Sequence, residues 1–173
     1  HGLDDVRCYC FEREGPVPCY GDQLTLERIR TVFDYAFDSP YTSALPQLDL
    51  HLIDSNLELF DLTIEPLTVY HGRLPVLAFR VGSFAYVTDC SSVPAESMER
   101  LSGLDVLILD ALRHKKHPTH FSLSEALDVV TVLAPKQTYL THIAHDLDHA
   151  STNADLPAGV ELAYDGLEFE FRP

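Results

Sequence analysis

At 173 residues and 46% hydrophobic composition, the chain has the length of one domain and enough apolar side chains to bury a core, which excludes disorder as its default state. Its 12 Lys+Arg against 27 Asp+Glu leave a net charge of −15 with histidine neutral, and such a surface repels phosphate backbones at long range. Stable nucleic-acid binding is therefore not expected, although a small phosphoester stays admissible because a bound dication reverses the local field.

No apolar run approaches the ~20 residues that a membrane span needs. The four cysteines, Cys8, Cys10, Cys19 and Cys90, show no C-x-x-C spacing, so a reducing cytoplasm is expected rather than a disulfide framework. Cys8 and Cys10 could bind metal as C-x-C, but buried neutral thiols are the preferred reading.

Along the chain, Leu3 to Phe11 reads as a short helix or turn, and Val17 to Tyr20 as a brief strand after the Gly15–Pro18 break. From Leu24 the apolar positions Leu26, Ile29, Val32, Phe33 and Ala36 recur at helical spacing, with Thr25 as N-cap. Ser39 to Pro46 reads as a loop. Strands are expected over Leu48 to Ile53, Leu57 to Ile64 and Leu67 to Tyr70, then over Val76 to Val81 and Phe84 to Thr88, the last two joined by a hairpin at Gly82-Ser83. Pro94 to Leu101 reads as a helix with Pro94 in its first turn. Val106 to Leu109 is continuously apolar, the pattern of a strand buried on both faces. Ser122 or Ser124 caps a helix through Leu133, Lys136 to Ile143 returns as a strand, and His149 to Ala154 is helical. A final strand pair, Val160 to Tyr164 and Leu167 to Phe171, flanks Asp165-Gly166. Residues 1–173 are read as a single domain, a layered sheet packed by helices.

Three of these strand-like runs end in a residue that binds hard or borderline metals: Tyr70-His71, Thr88-Asp89 and Thr141-His142. Singly, each is as ordinary as a surface histidine or a turn-capping aspartate. Jointly, two histidines and a carboxylate delivered by separate strands suit a hydrolytic metal centre. His145, Asp146, Asp148 and His149 crowd the segment after His142. Arg113-His114-Lys115-Lys116-His117-Pro118-Thr119-His120 is the one locally basic patch. It reads either as a solvated loop or as an anion-binding loop with a proton donor, for which His120, just ahead of the Ser122 helix start, is the best placed.

Gly2-Leu3-Asp4-Asp5-Val6-Arg7, Val69-Tyr70-His71-Gly72-Arg73-Leu74-Pro75, Thr88-Asp89, Thr141-His142-Ile143-Ala144-His145 and Tyr164-Asp165-Gly166 occur in that order. Together they resemble the metallo-β-lactamase-fold hydrolases, specifically the branch similar to the phosphonate-pathway cyclic phosphodiesterase. The resemblance implies an α/β fold, an αββα sandwich with a two-metal site at one sheet edge. It implies two divalent ions, zinc or manganese, with His71 at the first, His142 at the second and Asp89 bridging both. It implies that His120 is the general acid, and that Arg73, His117 and His145 meet the substrate. The family's H-x-H-x-D-H motif would lie ahead of Gly2, so this chain is expected to be an N-terminally truncated portion of the sandwich carrying only the later ligands.

The implied activity is metal-dependent hydrolysis of a small or cyclic phosphodiester by an activated hydroxide. Thioester or lactone hydrolysis on the same fold is the alternative, as is an impaired or non-catalytic binding module. Exposed sheet faces are expected to make the isolated chain aggregate or form a homodimer.

Overall fold

The computed structural model describes residues 2–10, 15–38 and 45–171. They form two compact units, His1–Ser55 and Asn56–Pro173. Parts of the expected loop at Ser39 to Pro46, together with His1 and Phe11, lie outside the described residues.

In the first unit a 3-10 turn, Gly2–Val6, leads into helix α1, Arg7–Cys10. Strand β1, Val17–Gly21, precedes helix α2, Gln23–Val32. The α2 cap is Asp22 rather than Thr25: the Asp22 carboxylate accepts the Thr25 amide at 2.7 Å, and its charge suits a helix N-terminus. Ala36, expected on the same helix, falls instead in α3, Tyr35–Asp38, because the chain turns at Phe33 and Asp34. Strand β2, Leu48–Leu52, runs parallel to β1, with Val17 opposite Leu48. Cys8 is exposed, which corrects the expectation of a buried thiol there, and Cys10 is half-buried.

The second unit is one seven-stranded sheet in sequential order, β3 to β9. Leu57 to Ile64, expected as one alternating strand, folds into a hairpin of β3, Leu57–Leu59, and β4, Leu62–His71. Phe60 and Asp61 turn it with φ of 55° and 62°, the left-handed pair of a two-residue type I′ loop, which alternation alone does not reveal. Gly72-Arg73 and then Gly82-Ser83 make the next reversals, into β5, Leu74–Val81, and β6, Phe84–Val87. The connections then change character. Helix α4, Ala95–Arg100, crosses over to β7, Val106–Asp110; α5, Leu123–Leu133, to β8, Gln137–Thr141; and α6, His149–Asp155, to β9, Val160–Leu162. All three crossovers join parallel neighbours, as βαβ units do.

One sheet face is sealed. Leu67, Val69, Ala78, Ala85, Val87, Leu107, Leu109, Leu140 and Leu162 are buried there with Leu101, Ala126 and Leu133 of the helical segments. Each fully buried leucine contributes about 1.5–3 kcal/mol of transfer free energy, so this face anchors the strand ends that carry the site. On the opposite face Phe169 and Phe171 lie against Phe84, and Phe169 stacks on Tyr139 with ring centroids 5.5 Å apart. Leu167 to Phe171 is therefore an aromatic strap and not the expected strand. Its alternation serves ring packing rather than a hydrogen-bonded ladder.

Candidate metal-binding active site

Strand direction gathers the site. β4, β6, β7 and β8 all run the same way, β5 being antiparallel to both of its neighbours, so their C-terminal ends share one end of the sheet. His71 is the last residue of β4, Asp89 lies two beyond β6, Asp110 ends β7 and His142 immediately follows β8. Asp89 and His142 have left-handed backbones, with φ of 63° and 59°. Histidine and aspartate tolerate that region better than most residues, and it turns each side chain off its strand at the edge.

Hydrogen bonds pin these turns together. The Ser91 amide donates to the Tyr70 carbonyl at 2.7 Å, and the Gly72 amide to the Ser91 hydroxyl at 3.1 Å, tying the Asp89 turn to the end of β4. Gly72 has φ of 64°, and a Cβ on it would stand 3.1 Å from the Thr119 methyl. Glycine suits both the left-handed backbone and the close approach of the His71 turn to the His120 loop. That loop is fixed by the Phe121 amide, which donates to the Cys90 carbonyl at 2.9 Å, and by the capping box of Ser122 and Glu125 that opens α5. The Ser122 amide and hydroxyl, then Lys116, hold the Glu125 carboxyl down at about 2.

The donor atoms converge. His71 Nε2 is 3.2 Å from His120 Nε2, and Asp89 Oδ1 stands 3.9, 3.7 and 3.7 Å from His71 Nε2, His120 Nδ1 and His142 Nε2. The His120 and His142 rings stack at 4.8 Å, and the His117 ring lies 5.0 Å from His120. Burial, then the neighbouring His142 and His71, lowers the pKa of His120 and favours its neutral form. Burial, then Arg113, lowers that of His117. The buried Nδ1 of His120 has no hydrogen-bond partner.

His71, Asp89 and His120 form one group able to hold a cation, and Asp110, His120 and His142 a second. Imidazole and carboxylate donors with an orphaned buried nitrogen among them fit divalent transition-metal ions.

Of the residues singled out in the sequence, His71, Asp89, His120, His142 and His117 come together. His145 is exposed, its Nε2 3.1 Å from the Asp146 carboxylate, and Arg73 is exposed in the β4–β5 turn. The basic loop is largely self-occupied: Arg113 donates to the Lys115 and Lys116 carbonyls, and Lys116 pairs with Glu125 at 2.9 Å. Sequence reasoning missed Asp110, which is fully buried, with its pKa pushed up to about 6, chiefly by that burial. The signal was there: an acid closing an otherwise wholly apolar strand.

Beside His142 an open cavity of about 510 Å³ is lined by Thr141, Ile143, His149, Tyr164 and Asp165. Residues 1–143 match the family model of the beta-lactamase superfamily domain. The chain belongs to the beta-lactamase superfamily. This superfamily member is 45% identical to a solved diphosphatase from the PhnP family, at a TM-score of 0.90, over 98% of this chain and 65% of that one. It matches the metallo-β-lactamase-fold protein YhfI of Bacillus subtilis at 20% identity and a TM-score of 0.66, over 87% of this chain and 63% of that one, a likeness of fold alone. It is also 36% identical to an octanoyltransferase of Porphyromonas gingivalis (strain ATCC BAA-308 / W83), over 96% of this chain and 34% of that protein. The chain thus spans about a third of this curated relative and just under two thirds of the diphosphatase. The fold expectation, a mixed α/β architecture of the metallo-β-lactamase type, holds.

Proposed function

We propose that the site belongs to a metal-dependent hydrolase of small or cyclic phosphodiesters, with residues 1–173 as the later portion of a single domain. The observation that carries this reading is the convergence of His71, Asp89 and His142 from separate strand ends with His120 from the loop ahead of α5, with every donor pair above within 4 Å. Two divalent ions, zinc or manganese, held by His71, Asp89 and His142 with ligands from outside these residues, would supply an activated hydroxide and neutralise phosphoryl charge.

The chain's own residues do the rest. His120, largely buried among the converging donors, delivers a proton to the departing alkoxide, otherwise a poor leaving group. His117, its ring 5.0 Å from that of His120, would help bind the substrate, whereas Arg73 and His145, both exposed, would have to turn inward to meet the phosphoryl oxygens. The cavity beside His142 has the volume of a small-molecule site. Supporting a phosphorus substrate is the diphosphatase likeness; a diphosphate is the nearest variant of this reading.

The second reading, hydrolysis of a thioester or lactone, draws on the octanoyltransferase name, which attaches to a protein of which this chain covers 34%. A non-catalytic binding module, or a homodimer formed through the exposed sheet face, would follow if further ligands are never supplied. Among the described residues no helix is long and apolar enough to cross a membrane. A reducing cytoplasm suits the free cysteines.

The deciding experiment measures bound metal, then turnover of bis(4-nitrophenyl) phosphate, a 2′,3′-cyclic nucleotide, a diphosphate, an acyl thioester and a lactone. Metal-dependent turnover confined to the phosphodiesters is expected. Turnover of the thioester or lactone alone would move the site to acyl chemistry.

A further inference from the structure

A phosphodiester has an alcohol half as well as a phosphoryl group, and the open cavity beside His142 is where this chain can receive it. The cavity is lined by His149, Tyr164 and Asp165 along with the end of β8. Its chemistry is lopsided: a carboxylate and a phenol ring face it, and among the described residues no lysine or arginine does. A second phosphoryl group would meet no counter-charge there.

His149 does not supply one. Asn153 Oδ1 accepts the Leu162 amide at 2.7 Å, so the Asn153 nitrogen is the atom that faces His149 Nδ1, at 3.4 Å, and donates to it. The ring proton therefore sits on Nε2, which donates to the Leu162 carbonyl at 3.2 Å. Both ring nitrogens are used in holding α6 to β9, and the ring is neutral. It is a fixed block, and the Tyr164 ring stands edge-on to it with centroids 6.2 Å apart.

The backbone of Tyr164 and Asp165 is equally well placed. The Ala163 amide donates to the Leu140 carbonyl at 2.8 Å, which carries the pairing of β8 and β9 one residue onward. The Leu167 amide donates to the Tyr164 carbonyl at 3.1 Å and closes a turn over Asp165 and Gly166. Gly166, with φ of 86°, fills the third position of that turn, which calls for a positive φ. Beyond it the Phe169 and Phe171 strap anchors the chain on Phe84. Yet the Tyr164 ring is 58% exposed, and Asp165 is exposed as well. A rigid backbone that holds a ring and a carboxylate out beside an open cavity leaves both side chains to a ligand.

We propose that Tyr164 and Asp165 are specificity-determining residues that receive the alcohol half of the substrate and select an uncharged, hydroxyl-bearing alcohol over one that carries a second phosphoryl group. This rests on the phosphodiester reading and places a diphosphate below an uncharged diester as a substrate. The carboxylate accepts hydrogen bonds from hydroxyl groups, and the ring covers the apolar face of the alcohol. A phosphate about 7 Å from the same carboxylate, partly screened by solvent, would lose roughly tenfold in affinity.

The test compares two esters that differ in one group. Glycerol 1,2-cyclic phosphate draws both ester oxygens from a single alcohol, so that alcohol must lie beside the site; its partner carries a phosphate on the remaining hydroxyl. The metal-loaded protein is expected to show a kcat/KM about tenfold higher for the uncharged ester, with the difference in KM. Asp165→Lys should abolish or reverse that preference, and Tyr164→Ala should raise KM about threefold to tenfold for both esters. Both positions are exposed, so the variants are expected to melt with the unsubstituted protein and to hold as much metal. Equal efficiency on the two esters, or an Asp165→Lys preference unchanged from the unsubstituted protein, overturns the assignment while leaving the phosphodiester reading intact. Cleavage of neither ester sinks that reading, and the alcohol subsite with it.

Discussion

The two halves of the seven-stranded sheet are built differently. From β3 to β6 every neighbour is antiparallel and every reversal is a two-residue turn, whereas from β6 to β9 every neighbour is parallel and a helix intervenes. Antiparallel strands alternate their ends, so only β4 among the first three strands delivers a site residue, His71. Parallel strands bring all their C-terminal ends to one place, and there Asp89, Asp110 and His142 collect, as ligand-binding groups do in open α/β sheets. The antiparallel half thus shapes and supports, and the parallel half supplies most of the chemistry.

The sharpest way to break that contrast is Asp89→Asn, which keeps a residue suited to the left-handed backbone and removes the charge. Bound divalent metal and hydrolytic activity should both fall to background; a metal content equal to that of the unsubstituted protein would rule out the bridging role. His120→Ala comes next. It should spare the metal and cost about 10²–10⁴-fold with a poor leaving group, measured as kcat on an alkyl phosphodiester.

A smaller effect compares the two halves as structures. Leu109→Ala, in fully buried β7, should cost about 3 kcal/mol, against about 1 kcal/mol for Leu57→Ala in half-buried β3, read from urea midpoints. Equal costs would mean that the halves are equally load-sharing. The smallest effect is in pH. The Glu125 carboxyl titrates near 2 in the folded chain, below its ordinary value of 4.5, so its contribution is present above 4.5 and fades as pH falls toward 2. Glu125→Gln should remove that stretch of acid sensitivity from the melting temperature, leaving neutral-pH stability lower by the weakened cap.

Much of this was legible in the sequence, for local reasons. The apolar run Val106 to Leu109 announced a strand buried on both faces, Gly82-Ser83 a hairpin, and Ser122 the start of α5; each depends on neighbouring residues alone. The strand-end placement of His71, Asp89 and His142 was legible for the same reason. Less legible was anything set by backbone sign or distant pairing. Nothing in the alternation of Leu57 to Ile64 says that Phe60 and Asp61 turn left-handed, and the ring contacts of Phe169 and Phe171 look like strand alternation until Phe84 and Tyr139 are in view. Asp110 escaped because an acid after an apolar strand also reads as an exposed strand terminus; its burial is decided by the loops of Asp89 and Phe121 folding over it.

The positive φ of Asp89 and His142 has a consequence for how this site can change over generations. The residues that occupy such a slot at low cost are glycine and a short polar group, chiefly asparagine, aspartate and histidine. Two of the four are metal ligands, so the shape of the chain restricts the alphabet at these positions to letters that either bind a cation or are silent. Drift away from catalysis would therefore be expected to leave asparagine or glycine at positions 89 and 142 with the sheet intact, and a lineage in that state would lie one substitution per position from recovering its ligands.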